Sequence, residues 1–302
     1  YFPEREEKEM AVKAKVLNFG SLNMDHVYKV KHFVMPGETL SSENLQHFCG
    51  GKGLNQSIAL ARAGANVYHA GAIGEDGMVL KKQLEEDGVD ISYLKIRESV
   101  GTGHAMIQVD EKGQNCILLY GGANQSITKE QVDDTLKNFQ AGDYLLLQNE
   151  INELAYIMEQ AGRIGMKIFL NPSPCNEMID SLPLDLVDTF LLNEIEGEQI
   201  SGEKEKILDA MFERYPNAHI ILTLGSEGAV YGWKGRQIFQ KAEKVTAVDT
   251  TAAGDTFTGY YLAAVSAGKE AAEALQLASR AAAIAVTRQG AVPSIPYQRE
   301  LL

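Results

Sequence analysis

The residues best suited to chemistry lie in Val248–Gly259, VDTTAAGDTFTG, where a turn of small residues runs into a helix start and places one carboxylate, Asp255, in its first turn. Ala252, Ala253 and Gly254 let the backbone approach a ligand closely. The first amides of a helix have no intrahelical acceptor, so the segment can cradle an anion. A carboxylate beside such a cradle can take the proton of an attacking hydroxyl, which is the pairing that phosphoryl transfer requires. Taken alone, Asp255 reads as a helix-start residue that favours the macrodipole. The rest of the chain reverses that reading.

Asn23-Met24-Asp25 puts an amide and a carboxylate on the same side of an extended segment, where they can hold adjacent sugar hydroxyls or serve as turn residues. Cys49-Gly50-Gly51-Lys52-Gly53-Leu54-Asn55 brings three glycines into a tight turn before a helix, and its spacing is not that of a Walker A loop. Glu150 and Asn193 follow strand-like runs, at the carboxyl edge where open α/β sheets bind ligands. Asn193 and Glu196 share a helical face, which suits either a helix cap or the ordering of metal-bound water near phosphates. Thr223-Leu224-Gly225-Ser226-Glu227-Gly228 is a nucleotide-contacting loop or a turn. Gly71–Asp76 shapes a βα turn and is assigned no chemistry. The six histidines are scattered without paired ligand spacing, which argues against a dedicated transition-metal site. Cys49 reads as a buried, inert thiol.

The chain has 302 residues and a formal charge of −13, which disfavours nucleic acid and anionic membrane surfaces as partners. Cys49, Cys116 and Cys175 show no CxxC spacing, as expected of reduced thiols in a cytoplasmic protein. No apolar run reaches the length of a membrane span. Residues 1–11 are set apart as a native extension or an added remnant, with Met10 a candidate internal start, and 12–302 are read as one domain.

To position these residues, Lys15–Leu22, Asn66–Ala72, Tyr144–Gln148, Lys167–Asn171, Thr189–Asn193 and His219–Leu224 read as buried strands alternating with helices. Continuous apolar strands of this kind predict an α/β doubly wound, mostly parallel sheet with helices on both faces. Leu54–Ala63 reads as a helix stopped by Gly64, and Thr256–Ala267 and Glu270–Thr287 as two closing helices. A hairpin is expected around Lys234-Gly235. Two further hairpins, about 26–48 and 102–120, interrupt the alternation and are expected to meet as a small antiparallel β lid.

Together these segments resemble the ribokinase (PfkB) family of carbohydrate kinases from about Ala14 to Pro296. Asn23-x-Asp25, Gly50-Gly51-Lys52-Gly53-x-Asn55, Gly71–Asp76, Asn193-x-x-Glu196 and Asp249–Asp255 occur in the family order, and the tail Ala281–Pro296 is similar to that of the ribose kinases. The resemblance implies ATP-dependent phosphorylation of D-ribose at its primary O5. It implies Asp255 as base, with Ala252, Ala253 and Gly254 completing the anion hole. Asn23, Asp25, Gly51, Lys52, Gly53, Asn55 and Glu150, with Asp255 itself, would hold the sugar. Asn193, Thr223–Gly228, Gly254 and Ser279 would line the nucleotide side, with Ser279 where relatives often have Asn. Glu196 would organise Mg²⁺ through water. Asp249, Thr251, Ala285, Arg288, Gly290 and Ser294 match a monovalent-cation site, usually for potassium, and the lid implies a homodimer. The alternatives are a related kinase for deoxyribose, a nucleoside or fructose, and a sugar-binding regulator without turnover.

Overall fold

The structure is a computed structural model that describes residues 14–301, so the reading of 1–11 as an extension lies outside the described residues. In chain order the main elements are β1 (Val16–Phe19), β2 (Asn23–Lys29), β3 (Asn44–Gly50), α1 (Lys52–Arg62), β4 (Val67–Gly74), α2 (Met78–Glu86) and β5 (Asp90–Arg97). There follow β6 (Gly103–Val109), β7 (Asn115–Tyr120), α3 (Lys129–Leu136), β8 (Tyr144–Gln148), α4 (Leu154–Ile164), β9 (Lys167–Asn171) and β10 (Thr189–Asn193). The last third contains α5 (Glu194–Ser201), α6 (Ile207–Arg214), β11 (His219–Thr223), β12 (Gly228–Trp233), β13 (Arg236–Lys241), α7 (Ala253–Ser266) and α8 (Ala271–Ala285).

Nine strands form one sheet in the order β13-β12-β11-β10-β9-β8-β1-β4-β5, parallel except for the hairpin β12–β13 at one edge. Its central strands are mostly apolar because both faces are covered, with Asn18, His69 and Gln148 as buried polar exceptions. Leu146, Phe169, Leu191 and Ile221 pack with α1, α2, α7 and α8, whereas Leu145, Leu147, Leu170, Phe190 and Leu192 pack with α3 to α6. Each fully buried Leu or Ile contributes about 1.5–3 kcal/mol. The expected helix and strand assignments hold with small shifts: α1 starts at Lys52 rather than Leu54, and α7 at Ala253 rather than Thr256. Gly64 ends α1 at φ 87°.

The two interrupting hairpins meet as a four-stranded sheet, β3-β2-β6-β7. Each hairpin is antiparallel as expected, and the two are joined by one parallel pair, β2 with β6. The join is parallel because β2 follows β1 and β6 follows β5, so both leave the carboxyl edge of the large sheet in the same outward direction. The strands are also shorter than the expected spans: 30–43 forms no strand and turns at Gly37, φ 82°. Among the described residues no helix is long and apolar enough to cross a membrane.

Candidate active site

Asp255 occupies the third position of α7 and is buried. Helix α7 lies close against α1 because Gly259 faces Ala59, where a Cβ would stand 2.4 Å from the Ala59 Cβ. This proximity lets two consecutive α1 side chains reach the carboxylate. Asn55 Nδ2 donates to Oδ2 and Gln56 Nε2 donates to Oδ1, each at 2.9 Å. The sequence marks Asn55 as a sugar ligand; one of its amide hydrogens serves Asp255, while its Oδ1 is buried without a partner among the described residues. Ala252 caps α7 in the left-handed region, φ 60°, a conformation that costs a non-glycine residue about 1–2 kcal/mol. The turn leaves the amides of Ala252, Gly254 and Asp255 without acceptors among the described residues. That of Ala253, expected to join the cradle, instead donates to the Thr250 carbonyl at 3.2 Å.

The residues expected to hold the sugar gather where β1, β2 and α1 converge. The turn from β3 into α1 is pressed onto this point: a Cβ on Gly50 would stand 2.1 Å from Asp25 Oδ2, and one on Gly53 2.3 Å from the Ser21 amide. Asn23 and Asp25 begin β2, and Asn23 Oδ1 accepts from Asn124 Nδ2 at 2.8 Å. Glu150 accepts from the Ser21 hydroxyl and, at 3.0 Å, from the Lys52 amide. Burial, reinforced by Glu150, pushes Asp25 up to about 7. Burial also raises Glu150, against the opposing effects of Ser21 and Lys52. Burial works against the Lys52 ammonium, yet Asp255, Glu150 and Glu196 together hold it above the ordinary lysine value. Cys49 is half-buried rather than buried, and burial, then the Asp25 charge, raises its thiol, in keeping with an inert role.

Two adjoining cavities open on the other side of Asp255. One, of about 200 Å³, is lined by Lys52, Asn193, Glu196, Gly254 and Asp255 among others. The second, of about 500 Å³, is lined by Thr223, Gly225, Ser226, Gly228 and Ser279, with apolar walls from Val245, Ala282 and Val286. Leu224 and Glu227 are not among its lining residues; Leu224 packs against the core and its amide donates to the Gly228 carbonyl at 2.8 Å. Asn193 and Glu196 form a reciprocal cap: Asn193 Oδ1 accepts from the Glu196 amide at 2.9 Å, and Glu196 Oε2 from the Asn193 amide at 3.0 Å. The cap reading of the sequence therefore holds, and it fixes the Glu196 carboxylate at the cavity wall.

The family profile described as pfkB family carbohydrate kinase matches residues 13–298. The chain belongs to this family. A ribokinase of Haemophilus influenzae is 37% identical over 293 residues, spanning 94% of this chain and 95% of its own length. A ribokinase structure from Thermotoga maritima superposes with a TM-score of 0.86 at 35% identity, covering 95% of this chain and 98% of that one. The structure of Arabidopsis thaliana ribokinase complexed with ribose and ATP gives 0.85 at 28% identity, covering 96% and 98%.

In this pfkB-family kinase the loop before α7 is tied to the tail after α8. Asp249 Oδ1 accepts from the Thr251 amide and Oδ2 from the Gly290 amide, both at 2.9 Å. Burial works against its charge, but the bonds from Thr251 and Gly290 outweigh that and hold Asp249 below the ordinary carboxylate value. Ser294 is buried and donates to the Ala291 carbonyl, and the Ala285 carbonyl accepts from the Arg288 amide. The Arg288 guanidinium points away to Glu300. Four polar residues of the kinase were missed from sequence: Ser21, Gln56, Asn124 and Asn171. Ser21 follows Gly20 at the end of β1, and Gln56 directly follows Asn55. The Gly121-Gly122 pair ahead of Asn124 was the available signal there.

Proposed function

We propose that the chain transfers the γ-phosphoryl group of ATP to O5 of D-ribose, giving ribose 5-phosphate and ADP, with Asp255 as general base. The observation that carries this reading is a buried carboxylate set beside acceptor-free helix-start amides, between the sugar-side cluster and the two cavities. The ribokinase relatives, and the ribose and ATP in the Arabidopsis complex, support the choice of substrates. Ribose lies against Asn23, Asp25, Gly51, Gly53 and Glu150, and one hydroxyl donates to the unpartnered Asn55 Oδ1. Asp255 accepts the O5 proton as O5 attacks phosphorus in line. The Gly254 and Asp255 amides hold the equatorial oxygens, and the Lys52 ammonium offsets their charge.

The nucleotide occupies the larger cavity, with its base near Ser279. Glu196 has one carboxylate oxygen committed to the helix cap, and its other oxygen fits the ordering of water on a magnesium ion, which would neutralise phosphate charge. The ionised Asp249 and the carbonyls of the 285–294 tail fit a potassium ion, which would add fixed positive charge behind the anion hole. The exposed apolar run Ile117–Tyr120 on β7 supports self-association through the lid, and the free cysteines are consistent with a cytoplasmic setting.

Coupled measurement of ADP release across a sugar panel tests the reading. Ribose is expected to exceed 2-deoxyribose, fructose and ribonucleosides in kcat/KM by on the order of 10²-fold or more, since a polar pocket rejects an analogue that lacks a paired hydroxyl. A higher value for deoxyribose would overturn the ribose assignment and leave the kinase standing; no sugar-dependent ADP release at all would leave a non-catalytic binder.

The raised Asp25 gives a pH prediction. Only the ionised form accepts two sugar hydroxyls, so KM for ribose should fall about tenfold as pH rises from 6 to 8. Asp25→Asn should flatten that dependence. In the sugar-free protein the sign for stability is opposite. An acid whose folded pKa is raised stabilises the fold below its unfolded value, and that contribution is lost as pH rises through about 7. Tm without ribose should therefore decline between about pH 4 and about 7 and level off above that in the wild type, with a smaller decline in Asp25→Asn.

A further inference from the structure

The Asp255 carboxylate is the end of a chain of buried amides that leads into the centre of the protein. Gln56 Nε2 donates to Asp255 Oδ1 and to Asn171 Oδ1, both at 2.9 Å, so both of its hydrogens are used. Gln56 Oε1 accepts from Gln148 Nε2 at 2.6 Å, and the same Gln148 nitrogen donates to Asn18 Oδ1 at 3.0 Å. Asn18 Nδ2 in turn donates to the Gly53 carbonyl at 2.7 Å and to Ser57 Oγ at 2.8 Å. Gln56, Gln148, Asn18 and Ser57 are at most 1% exposed. Helix α1 and strands β1, β8 and β9 each contribute to the array, so it spans the elements that define the bottom of the site.

The array has a single sense. An ionised carboxylate accepts and never donates, and Asn171 points its oxygen at Gln56 because its own Nδ2 donates to the Leu191 carbonyl at 3.0 Å. Turning Gln56 over would set its oxygen against two acceptors and its nitrogen against the Gln148 donor. The same reasoning passes to Gln148 and Asn18, where the sequence of bonds ends on a backbone carbonyl that cannot reverse. Because Gln56 cannot rotate, its hydrogen marks a fixed point in space for Asp255 Oδ1. Asn55, the next residue on the same helix, fixes Oδ2. The bonds that satisfy this buried amide thus also orient the Asp255 carboxylate, because one of its two acceptors is Asp255 Oδ1.

We propose that Gln56 is a positioning residue for phosphoryl transfer: its locked amide sets the rotation of the Asp255 carboxylate, and Gln148 and Asn18 lock Gln56. The inference rests on Asp255 being the base. Gln56 touches neither sugar nor nucleotide in this arrangement, so its effect falls on kcat rather than on nucleotide binding. Loss of a donor also favours the protonated carboxyl, so the acid limb of the rate profile responds as well.

The test uses the full-length enzyme with ribose and MgATP, comparing Gln56→Met, Gln148→Met and Asp255→Asn with the wild type. Gln56→Met should lower kcat about 100-fold, leave KM for MgATP within about twofold and move the acid limb of kcat, measured at saturating ribose, to higher pH. Gln148→Met should act in the same direction by about tenfold, since it loosens Gln56 without removing it. Should Gln56→Met fail to fold, as judged by its melting transition, Gln148→Met carries the same readouts alone. A variant that keeps wild-type kcat while Asp255→Asn is inactive overturns the positioning role and leaves the base intact. A fall in kcat with an unmoved acid limb overturns it too, because packing alone would explain that loss. Normal turnover by Asp255→Asn overturns the base and this inference together.

Discussion

Asp255→Asn is expected to lower kcat about 10²–10⁴-fold, the usual range for removing a positioned base, while KM for ribose changes little. The substitution is nearly isosteric, and the helix-start amides and both cavities survive it, so substrate binding should persist. Its amide cannot accept a proton, and its NH₂ would face either the Asn55 or the Gln56 donor, which now flank a neutral group. Single-turnover measurement of ribose-dependent ADP formation separates the outcomes. Turnover near wild type would remove Asp255 from the chemistry, and a rise in KM with unchanged kcat would make it a binding residue instead.

Gly53→Ala is the second large effect. The added Cβ would stand 2.3 Å from the Ser21 amide nitrogen and 2.5 Å from the Gly20 carbonyl carbon, both backbone atoms with nowhere to go. Overpacking of this kind costs about 1–3 kcal/mol or more, and Tm should fall by on the order of 5 °C or more. Backbone relief can come only by separating the start of α1 from the end of β1. That movement takes the Lys52 amide and the Ser21 hydroxyl away from Glu150, so KM for ribose should rise with the loss of stability. A melting scan and a ribose titration check both halves. An alanine variant with wild-type Tm would mean that the turn is looser than these distances describe.

The sequence made the fold legible where burial is two-sided. Runs such as Tyr144–Gln148 and His219–Thr223 are apolar at every position but their ends because helices cover both faces, and that pattern points to a parallel sheet. Strand β5, Asp90–Arg97, went unread: it is an edge strand whose exposed side carries charge, and its DISYLKIR pattern resembles a surface loop. The parallel join of β2 to β6 is a long-range pairing that no local spacing encodes.

At the site, residue types announced themselves where a function needs a particular group, as with Asp255, Asp25 and Glu150. They did not where the role is defined by a neighbour. The Ala253 amide is lost to the cradle only because the Thr250 carbonyl lies beneath it. Gln56 looks like one polar residue in an amphipathic helix until α7 brings Asp255 alongside.

Strand β2 begins with Asn23 and Asp25 and continues, without a break in its pairing, into the centre of the small sheet. On the proposed assignment, the wall against the sugar and the cover over it are therefore one length of backbone. A ligand cannot be let go by loosening the wall alone, because seven rungs on either side hold that strand to β3 and β6. If Asn23 and Asp25 hold the sugar as proposed, its release is expected to move the small sheet as a body, and residence time then depends on that movement rather than on any single hydrogen bond.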